Sequence, residues 1–126
     1  MLRARVAKAK AVVEAGLVHQ INNNVWKVPG SVTKQYLVTH RSGEKSRMRC
    51  DLDLGGHGYR DCLGNSNGYV CRHVLSTLIY RAEKAGYKIS FCSNKKDAQS
   101  LANLVHGQKY LIRSAQGKGT VWVVVH

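Results

Sequence analysis

With 126 residues, 44% of them hydrophobic and one proline, the chain is expected to fold as one domain with a small appendage, without a disordered linker. No apolar run approaches the roughly 20 residues of a membrane span. The basic start MLRARVAKAK lacks the apolar core of a signal peptide, so a cytoplasmic protein is expected. Twenty Lys and Arg against seven Asp and Glu leave a net charge of +13, which favours a polyanionic partner, nucleic acid before an anionic surface.

Residues 2–15 read as an amphipathic helix. Leu2, Val6, Ala9 and Val13 share one face, Arg3, Arg5, Lys8 and Lys10 cover the others, and Gly16 is the stop. Short strands follow. Val18–Ile21 and Val25–Val28 flank a turn at Asn22-Asn23-Asn24, Pro29-Gly30 turns the chain, and Gln35–Val38 leads into a loop at 39–44. Residues 45–50 should pair back on that strand. Alternation sets Lys45, Arg47 and Arg49 on one side, with Ser46, Met48 and Cys50 on the other. Three bases in a row, beside Lys34 and Arg41, form the candidate phosphate-binding face. The plainer reading is an edge strand charged against aggregation; like charges on one face repel without a partner, which favours the functional one.

The densest chemistry lies between Arg49 and Arg81. This stretch carries Cys50, Cys62, Cys71 and His73, three of the four cysteines and the histidine nearest to any of them. Three thiols and an imidazole are a closed tetrahedral donor set for zinc, so Zn2+ is the expected cofactor. A turn centred on Gly55-Gly56 would pair the flanking segments and set Cys50 opposite Asp61 or Cys62. Cys71 and His73 then arrive at the mouth of a helix from about Arg72 to Ala85, with Val74, Leu75, Leu78, Ile79 and Ala82 inward and Gly86 closing it. The competing reading is a set of buried structural cysteines beside a histidine.

Residues 3–81 resemble a SWIM-type zinc-finger module, whose pattern is Cys-x-Cys, a variable spacer and Cys-x-His. The resemblance rests on the basic helix RARVAKAKAVVEAG, the strand pair VWKVPGS and QYLV, and CLGNSNGYVCRHVLSTLIY. Cys62 matches the second cysteine of the first pair, Cys71 and His73 match Cys-x-His, and Arg72 matches the basic residue often found between them. Arg60 stands where the first cysteine belongs. Cys50, from the partner strand, is expected to take its place, with His57 and Asp61 as rivals for the fourth position. The resemblance implies a module that binds DNA or protein partners, with DNA ahead of RNA. Lys34, Arg41, Lys45, Arg47, Arg49 and Arg72 are the expected nucleic-acid contacts.

Residues 87–126 read as a β-α-β-β appendage on the 1–86 module, which makes the whole an α+β fold. Tyr87–Cys92 is a strand, Asn94 caps a helix that ends at Gly107, and 110–113 and 121–125 are strands. The last, VWVVV, needs burial in the sheet or against another subunit. Self-association or a protein partner through these strands, within a nucleoprotein, virion or transposition complex, is therefore the alternative. Gly117-Lys118-Gly119 lacks the flanking residues of a phosphate loop. Cys92 reads as core, as do Trp26, Tyr36 and Trp122, while Tyr59 and Tyr69 flank the zinc loop, where a base could stack. No catalytic constellation can be assembled: a closed metal site leaves no open position for hydrolysis, and the deaminase motifs are absent. Neither an enzyme nor a small-molecule substrate is expected.

Overall fold

The chain alternates short strands with helices, and in the computed structural model these form one mixed sheet with helices on both faces. The described residues are 2–30, 34–40, 47–62, 69–114 and 119–126. In chain order the elements are α1 (Leu2–Glu14), β1 (His19–Asn22), β2 (Val25–Pro29), β3 (Gln35–His40), β4 (Arg47–Asp53), a single 3-10 turn (Gly55–His57), β5 (Tyr59–Asp61), α2 (Arg72–Lys84), β6 (Ile89–Cys92), α3 (Lys95–Val105), β7 (Gln108–Ser114) and β8 (Thr120–Val125). The α+β class expected from the sequence is the observed one.

The strand order is β1-β2-β3-β4-β7-β8-β6, with β5 on β4. β1 to β5 form an antiparallel meander. The free edge of β4 is divided between two neighbours. Its C-terminal half pairs with β5, whereas Arg47 and Met48 pair in parallel with Arg113 and Ser114 of β7. That short parallel contact continues the sheet into the C-terminal strands. VWVVV becomes β8, an interior strand between β6 and β7, so the terminal apolar run is buried in its own sheet.

The main core lies on one face, between the sheet and α2. Alternation along β2, β3 and β4 turns Trp26, Val28, Val38, Met48, Cys50 and Leu52 inward. α2 is buried almost all round (His73 to Ile79, and Ala82) because α1 covers its outer side. Two hydroxyls in that dry environment bond back to their own helix: Ser76 Oγ donates to the Arg72 carbonyl at 2.8 Å and Thr77 Oγ1 to the His73 carbonyl at 3.1 Å. α1 presents the expected stripe, with Ala9 and Val13 buried and Leu2 and Val6 packed at the margin. It ends at Gly16, whose positive φ of 71° closes the helix with Gly16 N–H on the Val13 carbonyl. α3 covers the opposite face at the β6–β8 end, packing Ala98 and Ala102 against Val124. Its left-handed terminal residue is His106, not the expected Gly107. Gly107 is required for a different reason: a side chain there would strike the Val125 carbonyl.

Candidate metal centre

Each candidate ligand is delivered by a backbone relationship. The β4–β5 hairpin closes through the turn at 55–57, registers Asp51 with Asp61, and continues one step further, where Cys62 N–H donates to the Cys50 carbonyl at 3.1 Å. The two thiols therefore sit side by side on adjacent strands. Cys71 is the extended residue that starts α2, and its carbonyl accepts the first helical bond from Leu75 N–H. His73 lies in the first turn, facing the sheet.

One ligand atom from each of Cys50, Cys62, Cys71 and His73 lies within 4.8 Å of all the others, and all four residues are buried. Cys50 Sγ and His73 Nδ1 are 3.5 Å apart. The phenol ring of Tyr36, from β3, stacks on the imidazole with centroids 3.8 Å apart and planes 16° from parallel. Such packing fixes the ring orientation before any ligand arrives. Gly30 makes the stack possible, since a Cβ there would collide with the Tyr36 ring. His73 Nε2 is buried and has no hydrogen-bond partner among the described residues, where the imidazole is held by stacking and by the thiol cluster.

The electrostatics favour a cation. Contact with Cys62, then with Cys71, then burial push the Cys50 thiol far above the usual range. For Cys71 the Cys50 contact pulls the pKa down, but Cys62 and burial outweigh it and leave the thiol at about 12. Burial and the nearby thiols of Cys62 and Cys50 also raise the Tyr36 phenol. Cys50 and Cys71 thus stay protonated by themselves. A cation among them reverses that preference, because thiolate is the metal-ligating form. Dry burial, soft donors and mutual proximity fit a metal ion, and the cluster could hold one.

The rivals for the fourth position stand differently. His57 is exposed in the turn. Asp61 is described by its main chain alone, opposite Asp51. Cys92 is half-buried against the α3 side of the sheet, remote from the cluster.

The expected phosphate contacts are less unified. Lys34 is exposed at the start of β3 and Arg72 is half-buried at the start of α2. Arg41 and Lys45 lie outside the described residues, as does the side chain of Arg47. Arg49 is exposed on the open face of β4, but its Nε donates to both carboxylate oxygens of Asp51 at 3.0 Å. Asp53 lies further along the same face, accepting from Gly55 N–H at 2.8 Å. Acids therefore follow the bases along this strand, a charge alternation that Asp51 and Asp53 already display in the sequence. Arg5 does more than cover the outer face of α1: it hydrogen-bonds the Val70 carbonyl and lies 5.6 Å from the centre of the Tyr69 ring. It ties α1 to the segment entering Cys71. Tyr59 and Tyr69 are exposed, whereas Trp26 is core, with Arg81 over its ring. Sequence reasoning missed the Tyr36 stack and the Arg5 tie, neither of which leaves a local spacing signal.

Comparison with known protein families, curated proteins and solved structures found no match. Among the described residues, no helix is long and apolar enough to cross a membrane.

Proposed function

We propose that this is a zinc-stabilised nucleic-acid-binding protein of the SWIM kind, with Cys50 on β4 substituting for the first cysteine of the module. The observation that carries the metal identity is the buried set of three sulfurs and one nitrogen. Zn–S bonds of about 2.3 Å and Zn–N bonds of about 2.0–2.1 Å give a tetrahedral S···N edge of about 3.6 Å. The 3.5 Å between Cys50 Sγ and His73 Nδ1 matches that edge. Four protein ligands leave no open coordination position, so the ion would have a structural role, joining the β4–β5 hairpin to α2.

The nucleic-acid part rests on the net charge of +13. Lys34, Arg41, Lys45, Arg47, Arg49 and Arg72 are the proposed phosphate contacts, with DNA preferred to RNA. Contacts of this type position the protein without reading sequence. Electrophoretic shift with duplex DNA and with RNA across a salt series tests this reading. A steep fall of log K with log[salt] is expected, about 0.9 per phosphate neutralised on duplex DNA, whereas a flat dependence contradicts it.

A further inference from the structure

We infer that the free edge of β6, together with the groove between it and α1, is a docking site for an extended acidic peptide segment of a protein partner, added as an extra strand to the sheet. Four observations combine here, and none depends on the metal.

β6 ends the sheet opposite β1. The two edges are protected unequally. β1 is exposed throughout and its register is broken by a bulge between Gln20 and Asn22. β6 pairs with β8 in unbroken register and contains neither proline nor a charged residue. Bulges, charges and proline are the usual means of blunting an edge, and β6 has none of them.

The polar groups on this edge can be assigned. Lys88 and His126 exchange both backbone bonds, Lys88 N–H to the His126 carbonyl at 2.8 Å and His126 N–H to the Lys88 carbonyl at 3.0 Å. Antiparallel alternation then makes Ser90 and Cys92 the bonded positions. The N–H and C=O groups of Ile89 and Phe91 point away from β8. Neither residue has another backbone partner among the described residues. An incoming strand would satisfy both donors and both acceptors, whereas a phosphate backbone supplies acceptors alone and leaves the carbonyls unmatched.

The space beside this edge is large enough. A cavity of about 500 Å³ separates β6 from α1, with Leu2 and Val6 opposite Ile89 and Phe91. Arg3 and Lys10 provide the charged residues of its lining, without an acid. An occupant alternating apolar and acidic side chains would fill the apolar floor and meet the two cations. A second copy of this chain fits poorly, since edge-to-edge pairing would bring its own Arg3 and Lys10 against these and join two bodies of net charge +13.

The test uses the full chain and a blocked eight-residue peptide of alternating Glu and Val. A Lys-Val peptide and a twelve-nucleotide single strand serve as controls. Saturable Glu-Val binding by fluorescence anisotropy is expected, with slowed amide exchange at Ile89 and Phe91 by NMR. Arg3→Glu with Lys10→Glu should weaken binding at least tenfold. Phe91→Pro, which removes an outward N–H while sparing the β8 ladder, should abolish binding, and Phe91→Val should retain it. If the proline variant does not fold, the exchange result on the unaltered protein decides. Equal binding of the Lys-Val peptide, protection of these amides by the oligonucleotide instead, dimerisation through β6 in sedimentation, or no protection at Ile89 and Phe91 would each overturn the inference.

Discussion

The Tyr36 ring lies flat on the His73 imidazole, 3.8 Å between centroids, and Gly30 leaves the room that keeps it there. A residue on β3, a strand packed against α2, thereby orients a candidate ligand on that helix. With His73 Nε2 unpaired among the described residues, this stack is the main restraint they place on the imidazole besides the thiols.

Loss of that restraint should weaken metal binding without removing a ligand. Tyr36→Ala is expected to lower metal affinity by about tenfold, the low end for residues that support ligands from outside the coordination sphere. Tyr36→Phe should retain it, because the ring remains. Gly30→Ala should resemble Tyr36→Ala, since the added methyl displaces the ring. Competition with a chromophoric chelator gives the three affinities. Equal values for Tyr36→Ala and the parent would show that the stack does not support the metal site.

The four ligands should differ sharply from the fourth cysteine. Cys50→Ser and Cys71→Ser are expected to lose bound metal and the stability it supplies. An ion at 100 times its Kd adds about 2.7 kcal/mol, which corresponds to roughly 10 °C in Tm for a chain of this size. Cys92→Ser, on the α3 side of the sheet, should keep both metal and Tm within a few degrees. Elemental analysis and thermal melts on the three variants make the comparison.

The raised thiols give the metal-free protein a defined pH response. The folded-state pKa values of Cys50 and Cys71 lie above the reference of 9.0, Cys71 at about 12. Folding therefore favours the protonated forms. This contribution is complete below pH 9 and is lost as pH rises toward 12. Melts in chelator should show Tm falling above pH 9. The metal-loaded protein should behave in the opposite sense, losing its ion in acid as the thiolates are protonated. A chelated sample whose Tm is unchanged between pH 8 and 11 would contradict the crowded-thiol geometry.

The Arg49–Asp51 pair sets the charge available on the open face of β4. Exposed pairs contribute about 0–1 kcal/mol to stability, so the exposed Arg49 can be changed with little effect on folding. Asp51→Asn removes a carboxylate from this face and should tighten DNA binding several-fold at low salt. Arg49→Ala should weaken binding and reduce the salt slope by about 0.9 if the side chain meets one phosphate. Identical shift curves for both variants would place DNA elsewhere on the molecule.

These relationships also show which parts of the molecule could be read from the sequence. The hairpin that joins Cys50 and Cys62 was legible because Gly55-Gly56 fixes a local turn and the pairing follows by counting. α2 was legible from its apolar spacing and Gly86, and observed Arg72–Lys84 falls within a residue of expectation. The β4–β7 pairing was not, because two residue pairs unite segments far apart in sequence and leave no periodic trace. Tyr36 shows the same limit. Alternation placed it in the core, but only the three-dimensional register brings its ring to His73. Arg49 is the reverse case, since the acids that follow it at two-residue spacing were visible on the same strand face.

We propose that Cys50, Cys62, Cys71 and His73 close around one zinc ion. X-ray absorption at the zinc edge, on protein purified without added metal, tests it most directly. One zinc per chain is expected, with three sulfurs at about 2.3 Å and one nitrogen at about 2.0–2.1 Å. Zinc absent from the purified chain, or a shell of oxygen and nitrogen without sulfur, would contradict it.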